Sequence, residues 1–443
     1  MSRAFKEFIL IKGVFPFTDV VFHTQISSWY SLIQKMLVWN PDSIVKWQTE
    51  KMRELINDAY RYSRYYHQLF DSLSIKPEDI RCMKDLEMIP PLTKEIILDN
   101  YDDILLRGKR GISYRHCSTG GSTGNPTQYI KDNKSWGFDN AFNIHMWKQT
   151  GYHYGDKFLA LGSSSLFPTN KKSSVHNFYY KLKGKIPYNA MNMSDDVVFA
   201  CLDLIRKKNV HYIYGYASSI YILASFIEKN CFQDKVQIKA CFPTSEVLTP
   251  LYRETMERVF GCTVSDMYGA HDGGIVAHNI KGGYKVGYNS IVQIANGAQS
   301  GPALLTDVLS NSFPFIRYQL GDELSIGDGY NNTFFNGQVL EKVIGRTSDI
   351  IKLENGRNLT GPGFTILFSK LNIKGYRLYK SHPMEITVEI VRTDSYCSPK
   401  EDDLIIGTIK KHAGEDCRVF LKYADKIDNR KNGKNLFFLS ETP

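Results

Sequence analysis

Between Ser43 and about Phe70, apolar residues recur at short helical spacings, with Trp47, Met52, Leu55, Ile56 and Tyr60 in one series. This periodicity predicts a helix with one buried face. Pro77 and the pair Pro90-Pro91 punctuate the region that follows. Tyr114–Cys117 and Gln128–Ile130 read as short strands on either side of a glycine-rich stretch, and a long helix is expected next, with Trp136, Asn140, Ile144 and Trp147 along one side. Phe158–Gly162 is an unbroken apolar run, as expected of a strand covered on both faces, and it leads into the loop Ser163-Ser164-Ser165. Val210–Tyr214 is a second strand, ended by Gly215, with a helix from Ser218 to Glu228 after it. Strands and helices then alternate as far as Met267, the rhythm of a parallel sheet.

After Gly282-Gly283 the texture changes to strands and turns, with Asn296-Gly297, Gly301-Pro302 and Gly327-Asp328-Gly329, which predicts a more antiparallel subdomain. From Gly345 onward the chain reads as a small α+β unit, its strands marked by the period-two run Met384–Ile390. The expected fold class is therefore α/β: a large N-terminal α/β domain over 1–344 with a β-rich subdomain, then a C-terminal α+β domain over 345–443. A length of 443 residues supports this division, because one ordinary core rarely serves so long a chain.

Composition narrows the function classes. With 42% hydrophobic and 23% charged residues the chain is globular in type, and an aromatic share of 13% suits a large core and aromatic-lined pockets. The formal charge of +9 is spread over short clusters such as Arg206-Lys207-Lys208, which suits a solvated surface better than a nucleic-acid groove. The eight cysteines lie far apart with no C-x-x-C pair, which fits a reducing cytosol and neither a zinc nor a disulfide framework. Phe8–Phe17 is apolar but interrupted by Lys12, Gly13 and Pro16, too short to span a bilayer. It is expected to pack on the N-terminal domain; contact with a membrane surface is the alternative.

The richest local signal is Ser118-Thr119-Gly120-Gly121-Ser122-Thr123-Gly124-Asn125-Pro126-Thr127. Glycines let successive backbone N–H groups point to one place, and hydroxyls add donors, so such a loop suits phosphate. It lacks the Gly-Lys-Ser/Thr ending of a Walker loop and the G-x-G-x-x-G dinucleotide pattern, and alone it reads equally well as a surface turn. Lys131 beyond it could add charge, although a solvated lysine is the more ordinary reading. Four segments follow downstream: Tyr268-Gly269-Ala270-His271-Asp272, Arg317–Asp322, Gly345-Arg346-Thr347-Ser348-Asp349 and Asn432-Gly433-Lys434.

In their order and spacing these five segments together resemble the motif series of adenylate-forming enzymes, most closely the phenylacetate–CoA ligase-like family and its capsular-polysaccharide-biosynthesis members. The similarity runs from about Ile56 to Phe438. It implies ATP-dependent activation of a carboxylic acid as an acyl adenylate, release of pyrophosphate, and transfer of the acyl group to CoA or to a sugar or amine. It also implies a cytoplasmic enzyme with a mobile C-terminal domain, at most peripheral at the inner membrane face. By the same resemblance Ser118, Thr119, Gly120, Gly121, Ser122, Thr123 and Gly124 cradle the β- and γ-phosphates, Tyr268 stacks on adenine, and Gly269 lets the backbone approach. Asp322 accepts the ribose hydroxyls, and Arg346 contacts ribose and phosphate.

The resemblance also implies that Lys434 bridges the acid and the α-phosphate, one more lysine of a basic tail being the alternative, and that Ser348 stands at the hinge, where relatives carry Asp or Lys. Where relatives have a hydroxyl residue followed by a magnesium-binding Glu, this chain has His271 and Asp272. Asp272 can still ligate Mg²⁺ as a hard oxygen donor. His271 either contacts phosphate or substrate carboxylate or is structural. Ser245-Glu246 fits the adenine-side loop, with an N-cap for the following helix an equally good reading. Tyr214–Ala217 matches a loop that lines the acid pocket. Some relatives hold a structural zinc; His271 and His278 have no nearby cysteine pair, so none is expected. A catalytically silent nucleotide-binding homologue and a sugar nucleotidyltransferase are the rival classes.

Overall fold

The computed structural model describes residues 3–107, 113–118, 128–162, 180–189, 195–233, 236–269, 274, 276–327, 337–346, 350–355, 358–360, 368, 371–425, 427 and 438–439. The predicted helix from Ser43 is two helices, Pro41–Tyr62 and Arg64–Ser72. Asn40 caps the first, its side chain accepting from the Ser43 N–H at 2.8 Å. The break falls at Ser63, which is extended and turns its hydroxyl oxygen to the Tyr66 N–H to start the second helix. A serine that can satisfy the next helix's free N–H groups competes with continuation of the first, and apolar periodicity cannot register that competition. The inward face of the first helix carries Ile44, Met52, Leu55, Ile56 and Ala59.

Strands β1 (Tyr114–Ser118) and β2 (Gln128–Asp132) form an antiparallel hairpin whose ladder closes at Ser118 opposite Gln128. The helix Asn133–Lys148 leaves β2 directly. It is buried all round and not on one side as expected: Phe138, Ala141, Phe142 and Met146 are covered along with Ile144 and Trp147, so it runs through the interior.

Beneath it lies a twelve-stranded mixed sheet. Its parallel half holds β3 (Phe158–Gly162), β4 (Lys185–Asn189), β5 (Tyr212–Tyr216), β6 (Ala240–Thr244), the short β7 (Thr263–Val264) and β8 (Asp266–Gly269). The order runs β4-β3-β5-β6-β8, with helices at Asp195–Lys208, Ala217–Lys229 and Pro250–Phe260 between strands. Along β3 the residues alternate: Phe158 and Ala160 pack into the core around the central helix, Leu159 and Leu161 into a second core against the crossover helices. That double cover explains the unbroken apolar run.

Gly215 does not end β5 as expected but lies within it. A Cβ there would meet the Leu161 carbonyl oxygen at 2.0 Å, so the glycine permits close approach of β3.

The strands β9 (Val276–Asn279), β10 (Tyr284–Val286), β11 (Ser290–Ile294), β12 (Ser300–Asp307), β13 (Tyr318–Ile326) and β14 (Val339–Arg346) are antiparallel. They continue the same sheet and do not build a separate one. The reversal occurs at β8–β9, where Met267 faces His278, before the Gly282-Gly283 pair to which the sequence pointed. A short connection can only return antiparallel, whereas parallel pairing needs a crossover.

Beyond β14 lie the two-stranded pair β15 (Ile350–Lys352) and β16 (Asn358–Thr360). A four-stranded sheet follows, of β17 (Ile373–His382), β18 (Glu385–Arg392), β19 (Arg418–Tyr423) and β20 (Phe438–Leu439). With the helix Ser398–Ala413 it encloses a third core of Leu378, Ile386, Val388, Ile390, Ile405 and Ile409. Among the described residues no helix is long and apolar enough to cross a membrane.

Gly215→Ala should lower stability by about 1–3 kcal/mol, the usual cost of forcing atoms into a filled core. A urea denaturation midpoint equal to the parent's would mean that β3 and β5 do not depend on that contact.

Candidate active site

The carboxyl ends of the parallel strands β5, β6 and β8 lie side by side, Thr244 pairing with Tyr216 on one flank and with Met267 on the other. Ligands of open α/β sheets gather at this edge, outside the strand ends where the order of the sheet changes. Ser245 and Glu246 leave β6 there, next to Tyr268 and Gly269 at the end of β8. Ser245 turns the chain with φ of 67°, unusual for a residue with a side chain. The Glu246 carboxylate accepts the Ser218 N–H at 2.7 Å, at the start of the helix Ala217–Lys229, where negative charge meets the positive end of the helix dipole. The next helix, from Pro250, is capped by Thr249 and not by Ser245-Glu246.

Tyr268 and Asp322 come from strands far apart in sequence and meet directly, the phenol donating to the Asp322 carboxylate at 2.7 Å. Asp322 in turn pairs in register with Arg346 across β13 and β14. The sheet thus brings Tyr268, Asp322 and Arg346 to one neighbourhood with Ser245 and Glu246 beside it. Tyr284 stands edge-on to the Tyr268 ring and donates to Asp266, whose carboxyl burial pushes up to about 6. Ser118 is placed at the mouth of the β1–β2 hairpin. Thr119, Gly120, Gly121, Ser122, Thr123, Gly124, His271, Asp272, Ser348 and Lys434 lie outside the described residues, as does the Mg²⁺ role assigned to Asp272.

Lys131 is not the solvated lysine that its type suggests. It is buried and bridges to Asp139 at 2.5 Å, with Asp307 nearby. Burial works against its charge, but the two carboxylates outweigh that and hold the ammonium above its ordinary range. Burial pushes Asp307 up to about 7, Asp139 adding repulsion and Lys131 opposing both. Asn289 donates to Asp139 and Asp307, and Ser135 donates to Asp307 at 2.9 Å.

Gly274, just past the Tyr268–Asp272 motif, lies against the same group: a Cβ there would stand 2.4 Å from an Asp307 oxygen and 3.1 Å from the Lys131 nitrogen. One buried polar cluster therefore joins the hairpin strand leading from the glycine-rich loop to the segment following β8. Sequence reasoning missed it because its members are far apart and carry no spacing signal; the only hint was the pair Lys131 and Asp139 flanking a helix start.

His278 is equally internal. Its Nε2 bonds the Asn143 side chain at 2.7 Å, and burial depresses it to about 3, so it is neutral. Among the described residues no cluster of three or more His, Cys, Asp or Glu side chains could hold a metal ion.

The arrangement has relatives. The solved structure of 2-hydroxyisobutyryl-CoA ligase in the postadenylation state, in complex with R3-HIB-AMP, superposes with a TM-score of 0.69 over 90% of both chains at 13% identity. In sequence the chain is 20% identical to Protein CapK of Staphylococcus aureus over 89% of this chain and 88% of that one. It is 22% identical to phenylacetate-coenzyme A ligase of Pseudomonas putida over 91% and 95%. This chain shares the fold of the 2-hydroxyisobutyryl-CoA ligase and is similar in sequence to CapK and to the phenylacetate-coenzyme A ligase along nearly its whole length. No protein-family model matches the sequence. The anthranilate CoA ligase AuaEII, solved with anthranoyl-AMP, aligns over 90% of this chain and 79% of that one at 12% identity, with a TM-score of 0.53. At such low identities the shared property is the fold.

The buried cluster makes a pH prediction. Because Asp307 binds its proton more tightly folded than unfolded, its contribution to stability is full at low pH and is lost as pH rises from about 4 toward 7. Asp307→Asn removes that titration, so the fall in urea midpoint between pH 5 and pH 8 should be smaller in the variant. An equal fall in both proteins would remove Asp307 as the source.

Proposed function

We propose that the chain activates a carboxylic acid with ATP and passes the acyl group to an acceptor in surface-polysaccharide assembly. The observation that carries this reading is the meeting of Tyr268, Asp322 and Arg346 at the carboxyl edge of the parallel strands, three segments in the order expected of an adenylate-binding cleft.

In this reading a carboxylate oxygen of the acid attacks the α-phosphorus. The bond from that phosphorus to the bridging oxygen breaks, and pyrophosphate leaves with the charge. Tyr268 offers its ring to adenine, and Gly269 gives room. Asp322 supplies two acceptor oxygens to the ribose diol. Arg346 reaches toward ribose and phosphate with a planar fork of donors. The loop Ser118–Gly124 holds the outgoing phosphates with backbone N–H groups that need no reorganisation. Lys434 neutralises charge on the attacked phosphate, and His271 stands near the reacting carboxylate. Asp272 is the residue that would hold Mg²⁺, which supplies charge neutralisation on the phosphates.

We take 345–443 to be a domain that moves about a pivot at Ser348; its separate core supports that division.

For the acceptor we favour a sugar or amine on a nucleotide or lipid carrier over CoA, because the motif series most resembles the capsular-polysaccharide members and the apolar N-terminal segment suits a place beside lipid-linked glycans. The phenylacetate–CoA ligases, and the 2-hydroxyisobutyryl-CoA ligase solved with 2-HIB-AMP and CoA, support CoA as the second reading. A glycan acceptor would place the enzyme at the cytoplasmic face of a membrane as a peripheral protein.

ATP–pyrophosphate exchange with a panel of aryl, fatty and amino acids tests the first step, and acyl transfer to CoA or to glycan amines tests the second. Lys434→Ala should reduce exchange by about a hundredfold or more, the scale for loss of a charge-stabilising group, while leaving ATP binding near the parent's. Asp322→Ala should instead weaken ATP binding by about tenfold, as expected on losing charge-assisted hydrogen bonds. Exchange at the parent rate in Lys434→Ala would overturn the assignment of the lysine. No exchange with any acid, together with no ATP binding, would overturn the function. Acyl-CoA formation without glycan product would favour the second reading.

A further inference from the structure

The N-terminal segment is helical from Arg3 to Phe22, its middle turn a π-helix over Leu10–Val14 through which the right-handed backbone continues. Its two faces are inverted relative to an ordinary surface helix. The inward side carries Leu10 and Phe15, and also Glu7, buried against Lys148 at 2.8 Å and His153 at 2.9 Å. Asp19 is likewise consumed, accepting from the Thr24 hydroxyl at 2.7 Å and from the Ile26 and Ser27 N–H groups at the start of the next helix. The Lys6 ammonium is turned to the Gly155 carbonyl.

On the outward side stand Phe8 and Ile9 toward one end and Phe17, Val20 and Val21 toward the other, with Lys12 and Gly13 exposed between them. Phe8, Phe17 and Val20 are 60%, 70% and 74% exposed, so the face is open and not merely grazed by solvent. Among the described side chains, Lys12 is the charged one on this face.

We propose that this outward face docks the protein flat onto an anionic lipid bilayer. Two features select that occupant. Scattered single apolar residues are ordinary on a surface, but large apolar side chains gathered on one face at both ends of a helical segment are not. A helix lying in the interface buries such a row among acyl chains to a depth of about 5–10 Å. The charge matches as well: both acidic side chains of the segment are turned inward and satisfied, and Lys12 is exposed to meet lipid headgroups. Apolar side chains on one face of a helical segment about 30 Å long at 1.5 Å per residue can meet a plane without needing a shaped groove. The inference deepens the peripheral placement in the proposed function, but it does not depend on the identity of acid or acceptor.

Flotation of the full chain with phosphatidylglycerol vesicles, phosphatidylcholine vesicles and no vesicles tests the proposal. The parent should float with phosphatidylglycerol vesicles and less with phosphatidylcholine. Phe8→Asp/Phe17→Asp should lower vesicle partitioning by about tenfold or more, because each change puts a charge where a ring should enter the acyl region. Lys12→Glu should erode the preference for phosphatidylglycerol. The double variant should keep the parent's circular dichroism and, where the parent shows it, the parent's pyrophosphate exchange, since none of these residues lies at the candidate active site. Loss of exchange in every protein with vesicle binding intact would count against the chemistry and not the docking.

Failure of the parent to bind phosphatidylglycerol vesicles, or equal binding by the double variant, overturns the proposal. So does a parent dimer in sedimentation that the double variant dissolves with no vesicle binding, which would make a second copy the occupant.

Discussion

A single ammonium buried between two carboxylates organises the interior. Charges in a protein core are costly unless each finds its partners, and removal of one partner leaves another stranded. Lys131, Asp139 and Asp307 satisfy one another only when β2, the central helix and β12 are all in place. Asp132, the next residue on β2, accepts from both the backbone and the hydroxyl of Ser312, fastening the same strand a second time. The hairpin that presents the glycine-rich loop is therefore anchored by ionic and polar groups at its base. Under the proposed function this loop holds phosphate, and it would gain from a base that does not shift.

Around this cluster the aromatic side chains do the packing. Trp147 lies flat on Phe242 with ring centroids 4.0 Å apart, while Tyr152 and Phe158 meet the Trp147 ring edge-on. Such contacts add about 0.5–1.5 kcal/mol per pair beyond the area they bury. They tie the central helix to the parallel strands on the face opposite the crossover helices. Both faces of the sheet are thereby closed, and the strand ends remain as the place where a ligand can enter.

Much of this was legible in the sequence. Alternation of apolar strands with amphipathic helices announced the parallel half, and the period-two run at Met384–Ile390 announced β18. Tyr268, Asp322 and Arg346 were singled out by three separate motifs, and the sheet brings those strand positions near one another, a proximity the motifs did not state. Other features were hidden for identifiable reasons. Ser63 breaks a helix through a local hydrogen bond that periodicity does not see. Gly215 looked like a terminator because glycine's reason for being there, the carbonyl of Leu161, belongs to a strand fifty residues away in the chain. Lys131 looked solvated because lysine usually is, and its two carboxylates are remote in sequence. The outward face of the N-terminal helix was masked by the reverse effect: apolar residues suggest burial, and only the structure shows which side of the helix is already taken.

The ladder between β13 and β14 also sets a mechanical limit. Glu323 pairs with Gly345 and Asp322 with Arg346, so the chain is stitched into the sheet up to that arginine. A swivel earlier along β14 would tear backbone bonds on a strand that is also held by β10 on its other side. The fulcrum for any rotation of the C-terminal part must therefore lie downstream of Arg346. Whatever swings does so on a lever whose fixed end is one residue pair away from the carboxylate that Tyr268 touches.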